Sequence, residues 1–161
     1  MVDPEEREIE GEDLDFVEAE FITIKQSSVR SIEGGHVEAQ QVGALSIDGE
    51  RVEVTQGASA ITRGVEVNLN QSISAVTVGD SISMNSSCSP CVFSKDDATL
   101  SRSAAGIVVA REIRAENASS LLLIANHVEG EVTTLLDWRS ALALGAVVGG
   151  ALGFLSLFRR R

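Results

Sequence analysis

The sequence is poor in aromatic and basic side chains. It has no tyrosine, only 4% of its residues are aromatic, and 13 Lys and Arg stand against 24 Asp and Glu. Recognition of sugars and single-stranded nucleic acid relies on aromatic platforms, and neutralisation of phosphates requires clustered Lys and Arg. The formal net charge of −11 therefore argues against nucleic acid as a partner.

Motifs for catalysis or metal binding are also scarce. The two cysteines, Cys88 and Cys91, form one pair, which supplies two of the four ligands of a closed zinc site. They lie in a β-patterned stretch, whereas a thioredoxin-like pair lies at the start of a helix. We interpret them as two small coil residues, with a redox or intersubunit thiol pair as the alternative. The sequence contains no Ser-His-Asp grouping or phosphate-binding loop, so we predict no enzymatic activity, cofactor or metal.

The N-terminal segment, residues 1–21, is acidic. Its first twenty residues contain ten Asp or Glu and one Arg, which is typical of a disordered arm. It lacks the basic start and apolar run of a signal peptide. Docking of a basic protein is a further possible role, and apolar residues could let the arm cap the first repeat. These residues are Ile9, Leu14, Phe16 and Val17.

A fifteen-residue repeat occupies residues 22–138. Its first position is Ile, Val or Ala, its fifth is glutamine in the first four repeats, and its thirteenth is always small. One extra residue, Asp97, interrupts the count. Units this short cannot bury their own apolar side and must stack on their neighbours. The first positions are Ile22, Val37, Val52, Val67, Ile82, Ala98, Ile113 and Val128.

Apolar and polar residues alternate within each repeat, for example in residues 52–56 and 67–71. A period of two is typical of strands. A second short strand is predicted in each repeat, for example at residues 45–48 and 60–63. The sequence thus predicts an all-β fold: a parallel β-solenoid, either a β-helix or a β-roll, of about seven 15-residue coils with a rise of about 4.8 Å per coil.

Two columns of the repeat carry structural predictions. Gln26, Gln41, Gln56 and Gln71 could form an amide ladder along the solenoid axis, with a row of ligand-binding amides as the alternative. The small residue at the thirteenth position predicts a corner that needs either a positive φ or a close approach of two backbones.

From the fourth repeat onwards the second strand is apolar on both faces. A solvated face should not have this composition, so we predict that a second copy of the chain covers it and that the protein is a homo-oligomer. Coverage by the C-terminal part of the chain or by lipid is the alternative. The predicted self-association residues are Val76, Val78, Phe93, Ile107, Val109, Leu122 and Ile124.

The C-terminal segment, residues 139–161, contains nineteen consecutive uncharged residues, 140–158, followed by three arginines. A helix of this length spans about 28 Å, close to the thickness of a bilayer core. We predict a transmembrane α-helix with the lipid bilayer as its partner, and a buried core helix is the alternative. Gly145, Gly149 and Gly153 would lie on one face, where helices can pair closely.

The sidedness signals of this segment conflict. The arginines favour an exported solenoid, whereas the missing signal sequence favours a tail anchor. We expect a single-pass protein of the cell membrane with the solenoid in the cytoplasm.

The V-E-V-x-Q repeat start, the small corner residue, Leu135-Leu136-Asp137-Trp138 and the Gly/Ala-rich terminal span resemble a set of small uncharacterised bacterial β-helical repeat proteins with a C-terminal membrane helix. The resemblance covers residues 22–158 and implies no activity. More distantly, the architecture resembles the bactofilins, which are polymer-forming cytoskeletal β-helices, although the period here is shorter and the terminal anchor differs. The resulting hypothesis is a membrane-anchored, self-associating scaffold. The alternative is a membrane-tethered binding module that recognises a protein or ligand through its repeat surface or acidic arm.

Overall fold

A computed structural model describes residues 6–134, which form ten strands joined by tight corners. Each strand pairs in parallel with the next in sequence order, so the chain winds as a solenoid. The predicted all-β parallel β-solenoid is therefore confirmed. The strands are β1 Glu6–Glu10, β2 Asp13–Lys25, β3 Ser28–Gln40, β4 Gly43–Thr55, β5 Ala58–Asn70, β6 Ile73–Asn85, β7 Cys88–Ser101, β8 Ala104–Val109, β9 Glu112–Ile124 and β10 His127–Thr134.

The strands pair with a fixed offset of fifteen residues over most of the chain, as Val52 does with Val37 and Val67. Within a coil, inward side chains occur in three pairs, so each coil has three short sides around one core. No single coil encloses a core, and the apolar side chains are buried only by stacking. The largest fully buried ones include Ile22, Ile24, Ile32, Ile47, Leu69, Ile82, Met84, Leu100 and Ile113.

The solenoid has about eight coils rather than seven because it begins upstream of residue 22. Gly11, with a φ of 68°, takes the corner position that Gln26 takes in the next coil. Ile9 and Val17 are buried in the core, while the acidic side chains around them are exposed. The prediction of a disordered arm is therefore wrong for residues 6–21. Of the four apolar residues predicted to cap the first repeat, Ile9 and Val17 are buried and Phe16 is 52% exposed, and the segment forms coils of the solenoid itself.

The prediction of two separate strands in each repeat is wrong. Each complete coil from β3 to β6 has one continuous strand of 13 residues that bends at its corners. The small residues within each repeat allow the bends without ending the strand.

The extra residue in the count is not Asp97, as predicted, but one of the two residues before it. Gly79 pairs with Ser94 and Ser81 pairs with Asp97, so Lys95 and Asp96 together stand opposite Asp80 as a β-bulge. Ser94 Oγ lies 2.8 Å from the carbonyl oxygen of Asp80 and 2.7 Å from that of Asp97, which ties the bulge to its own coil and to the preceding one.

The predicted transmembrane helix, with Gly145, Gly149 and Gly153, lies outside the described residues. Between residues 6 and 134 the structure contains no helix that is long and apolar enough to cross a bilayer.

A column of buried serines follows the corner of four of the eight coils. Ser87 Oγ lies 2.9 Å from the carbonyl oxygens of both Leu69 and Asn85, and it accepts a hydrogen bond from the Ser72 backbone N–H at 3.2 Å. Buried backbone groups must find partners, and this serine ladder provides them at the corners. Its members are Ser27, Ser72, Ser87 and Ser103.

We predict that Ser87→Ala lowers the free energy of unfolding by about 1–3 kcal/mol, because it leaves buried backbone groups of Leu69 and Ser72 without this partner. Denaturant unfolding followed by circular dichroism measures the change. The matched control is Ser81→Ala, since Ser81 is exposed and its side chain forms no hydrogen bond with a described residue; it should stay within about 0.5 kcal/mol of the parent. Equal effects at both positions would contradict a stabilising role for the ladder.

Candidate functional site

The corner column of the solenoid has a left-handed backbone in every coil. The glutamines have φ values between 49° and 55°, although only glycine adopts such angles without steric cost. Their side chains form the predicted amide ladder, with Nε2 to Oε1 distances of 3.1, 3.3 and 3.1 Å from Gln26 through Gln41 and Gln56 to Gln71. The same position in later coils is Ser86, Arg102 and Asn117.

The glycine column was predicted to need either a positive φ or a close approach of two backbones, and it shows the close approach. A Cβ at Gly49 would lie 2.8 Å from the carbonyl oxygen of Gly34, and one at Gly64 would lie 2.8 Å from that of Gly49. Coils therefore approach too closely here for a side chain. The positive φ angles belong to the glutamine column instead.

One outer side of the last four complete coils is apolar. Among its side chains, Val78 is 37% exposed, Phe93 42%, Ile107 38% and Ile124 52%. They stack in two columns along the axis, since Val76 pairs with Cys91 and Val78 with Phe93 in successive coils. We call this surface the apolar strip, and its members are Val76, Val78, Cys91, Phe93, Ile107, Val109, Leu122 and Ile124.

The structure brings all seven predicted sheet residues together on the strip. The residues between them point the other way: Val92 and Val108 are fully buried. Leu121 is 49% exposed but precedes the strip, on the neighbouring side of the coil. The strip also contains Cys91, which is interpreted above as a small coil residue with a thiol pair as the alternative.

The same side of the first coils has the opposite arrangement. There the inward residues are Ile32 and Ile47, and the outward ones include Ser31, Glu33 and Asp48. Further along, the inward residues become Thr62 and Thr77, both fully buried, and Thr77 lies beneath the outward pair Val76 and Val78. Thr77 Oγ1 forms a buried hydrogen bond with Ser89 Oγ at 3.2 Å. The inside is therefore polar in these two coils and apolar again from Val92, while the outside is apolar from Val76 onwards.

Cys88 and Cys91 are both free thiols on different sides of one coil. Cys88 is exposed and pairs with Ile73 and Ala104, while Cys91 is partly buried within the strip. Among residues 6–134, no group of three or more His, Cys, Asp and Glu side chains is arranged to hold a metal ion.

A groove runs along the corner above the glycine column. Its first part is lined by carboxylates, and its far end reaches Val78 and Phe93 of the strip. None of these carboxylates forms an ion pair with another described residue. We call it the acidic groove, defined by Glu18, Glu20, Glu33, Asp48 and Glu50. The sequence alone shows these charges but not that they line one groove.

Comparison of the chain with protein-family models, with curated proteins and with solved structures finds no match. The resemblance to bacterial membrane-anchored β-helical proteins and to bactofilins is therefore supported only as far as the β-solenoid itself. Function has to be inferred from the surfaces of this chain.

We predict that Gln41→Gly leaves the protein about 1 kcal/mol more stable than Gln41→Ala. Both changes remove the amide bonds to Gln26 and Gln56, but only glycine relieves the left-handed φ of 55°. The comparison is made by denaturant unfolding of the two variants. At the neighbouring strand residue Gln40 the order should reverse, because glycine there only adds flexibility. The same order at both positions would contradict a strained corner.

Proposed function

We propose that this protein is a non-enzymatic, membrane-anchored β-solenoid that self-associates as a structural scaffold. The apolar strip carries this proposal. Soluble monomers rarely expose large contiguous apolar surfaces, and such a surface commonly marks an interaction site. The strip extends about 14 Å from its first coil to its last, at about 4.8 Å per coil.

The strip adds nothing to the solenoid core, which supports an intermolecular role. Beneath Val76 and Val78 the inward residue is the buried Thr77, which bonds to the buried Ser89, although Ile32 and Ile47 occupy the equivalent position in earlier coils and Val92 and Val108 in later ones. A sequence optimised only for folding would place valine inward and threonine outward at Thr77 and Val78. The reversed order is expected when the outer face must itself be buried against a partner.

The proposed membrane anchor is the uncharged run of residues 140–158, with the solenoid in the cytoplasm. It follows β10 at the end of the solenoid that bears the strip. Confinement of several copies in one bilayer raises their effective concentration, so a small strip can support association.

A membrane-tethered binding module is the second candidate function. It is favoured by the acidic groove, whose five carboxylates form no ion pair with a described residue and outnumber the two cations, Arg63 and Lys95, that also line it. A partner with basic side chains along an extended segment would complement this groove. In that case the protein would be monomeric and the strip would contact either the partner or lipid.

We predict that changing Val78, Phe93, Val109 and Ile124 to threonine weakens self-association of the full chain in detergent micelles by at least tenfold. Threonine retains a strong strand preference, so the variant should fold while its strip becomes polar. Mass photometry over a dilution series measures the fraction of dimers or larger species.

The control for this experiment carries Ser83→Ala and Thr99→Ala on the polar side of the solenoid, and it should associate as the parent does. A parent chain that is monomeric at all concentrations would contradict the scaffold and favour the binding module. Equal association of parent and strip variant would show that the strip is not the contact surface.

We predict that the full chain floats with phosphatidylcholine vesicles in a density gradient, and that a chain lacking residues 139–161 does not. The reason is that only the C-terminal segment contains enough consecutive apolar residues to insert. Recovery of the full chain at the bottom of the gradient would contradict the anchor. Flotation of the shortened chain would show that the strip itself binds lipid.

A further inference from the structure

We infer that two copies of the chain pair side by side, with their solenoid axes parallel and equivalent coils at the same height, around a two-fold axis parallel to the solenoids. This inference rests on the proposed self-association and specifies its geometry. It extends the contact from the apolar strip to the whole side of the solenoid on which the strip lies.

The outward residues of this side form two columns with different charge. The first column runs from Phe16 to Leu122 and contains no charged residue in any coil. The second runs from Glu18 to Ile124, and it is charged in its first four coils and apolar in its last four. We call them the uncharged column and the mixed column.

A two-fold axis parallel to the solenoids places the uncharged column of one copy opposite the mixed column of the other. No charged side chain then faces another. Ser31 and Ser46 face the partner's Glu33 and the partner's Asp48, whose carboxylates can accept bonds from the serine hydroxyls. Phe16 and Ile61 face the partner's Glu18 and the partner's Arg63, so two of the four charged residues of the mixed column are opposite an apolar side chain, against all four in the antiparallel pair. In the coil of the strip that contains Phe93, the large ring faces the small side chain of the partner's Cys91.

The antiparallel arrangement is less favourable because it places each column opposite itself in reverse order. Full overlap would press Glu33 against the partner's Val109 and Asp48 against the partner's Phe93, which buries unpaired carboxylates. To avoid this, only the four coils of the strip could overlap.

The contact areas also favour the parallel arrangement, because only the parallel pair can overlap over all eight coils. A side of five residues is about 13 Å wide and eight coils are about 38 Å long, which gives roughly 500 Å² on each copy. Overlap of four coils gives half of that. A stable soluble pair buries about 800 Å² on each partner, and the contact of eight coils comes closer to this area than the contact of four. Confinement in one membrane further favours association of the two copies.

The proposed anchor also requires parallel axes. The last described strand, β10, lies at one end of the solenoid, and a parallel pair brings both copies of β10 to the same end. An antiparallel pair places them at opposite ends, so that anchors following β10 in the sequence could not enter the same bilayer.

The test is the distance between spin labels in the full chain, measured by double electron–electron resonance in lipid nanodiscs. In a chain with Cys88→Ser and Cys91→Ala, the labels are attached at Gln40→Cys in one variant and at Asn85→Cys in another. Both positions are exposed, lie in the same column and are three coils apart. Subunit counting on the same labelled samples establishes whether they are dimeric.

The parallel pair predicts the same label-to-label distance in both variants, because equivalent residues lie at the same height. An antiparallel pair centred on the strip offsets the labels along the axis by about 43 Å at position 40 and about 14 Å at position 85, at about 4.8 Å per coil. Dimers with unequal distances would overturn the parallel arrangement and leave self-association intact. Monomeric samples would overturn the proposed self-association, and the parallel arrangement with it.

Discussion

The fifteen-residue register is the constraint on which the rest of this structure depends. Every core contact joins residues of neighbouring coils, so a slip of one residue would turn inward side chains outward. The β-bulge at Lys95 and Asp96 shows how an insertion is absorbed without such a slip. Lys95 forms an ion pair with Asp80 at 3.3 Å, and Asp96 forms one with Arg111 at 2.9 Å. The extra residue thus stays at the surface, and Ala98 again stacks on Ile82 in the core.

The sequence predicted the solenoid and its columns because the fifteen-residue period can be read directly from the order of the residues. It could not locate the first coil, where Gly11 replaces the corner glutamine and carboxylates conceal Ile9 and Val17. It also could not decide which column has a positive φ. A glycine in the sequence suggests a positive φ. The space available to a Cβ depends instead on the distance between the backbones of stacked coils, and at Gly49 that distance excludes a side chain.

The candidate interaction site was partly predictable for a similar reason. Alternation identified Phe93 and Val109 as facing opposite to Val92 and Val108, and the structure confirms this separation. Alternation alone did not show that Leu121 belongs to a neighbouring side, because corners change the direction of side chains without interrupting the strand. The acidic groove was less predictable from the sequence than the apolar strip, because its carboxylates come from two columns that meet only at a corner.

The distribution of charge along the axis separates lateral association from end-to-end stacking. A filament formed by stacking would place β1, which pairs only with β2, against the last coil of another copy. The first coil exposes Glu8, Glu10, Glu12 and Asp13, and the last exposes Glu129. Charged edges of this kind oppose strand addition. The side that bears the apolar strip has a lower barrier, because its uncharged column continues through every coil and its mixed column is charged in only four. Association through the side is therefore compatible with the charges of this chain, whereas stacking through the ends would have to overcome them.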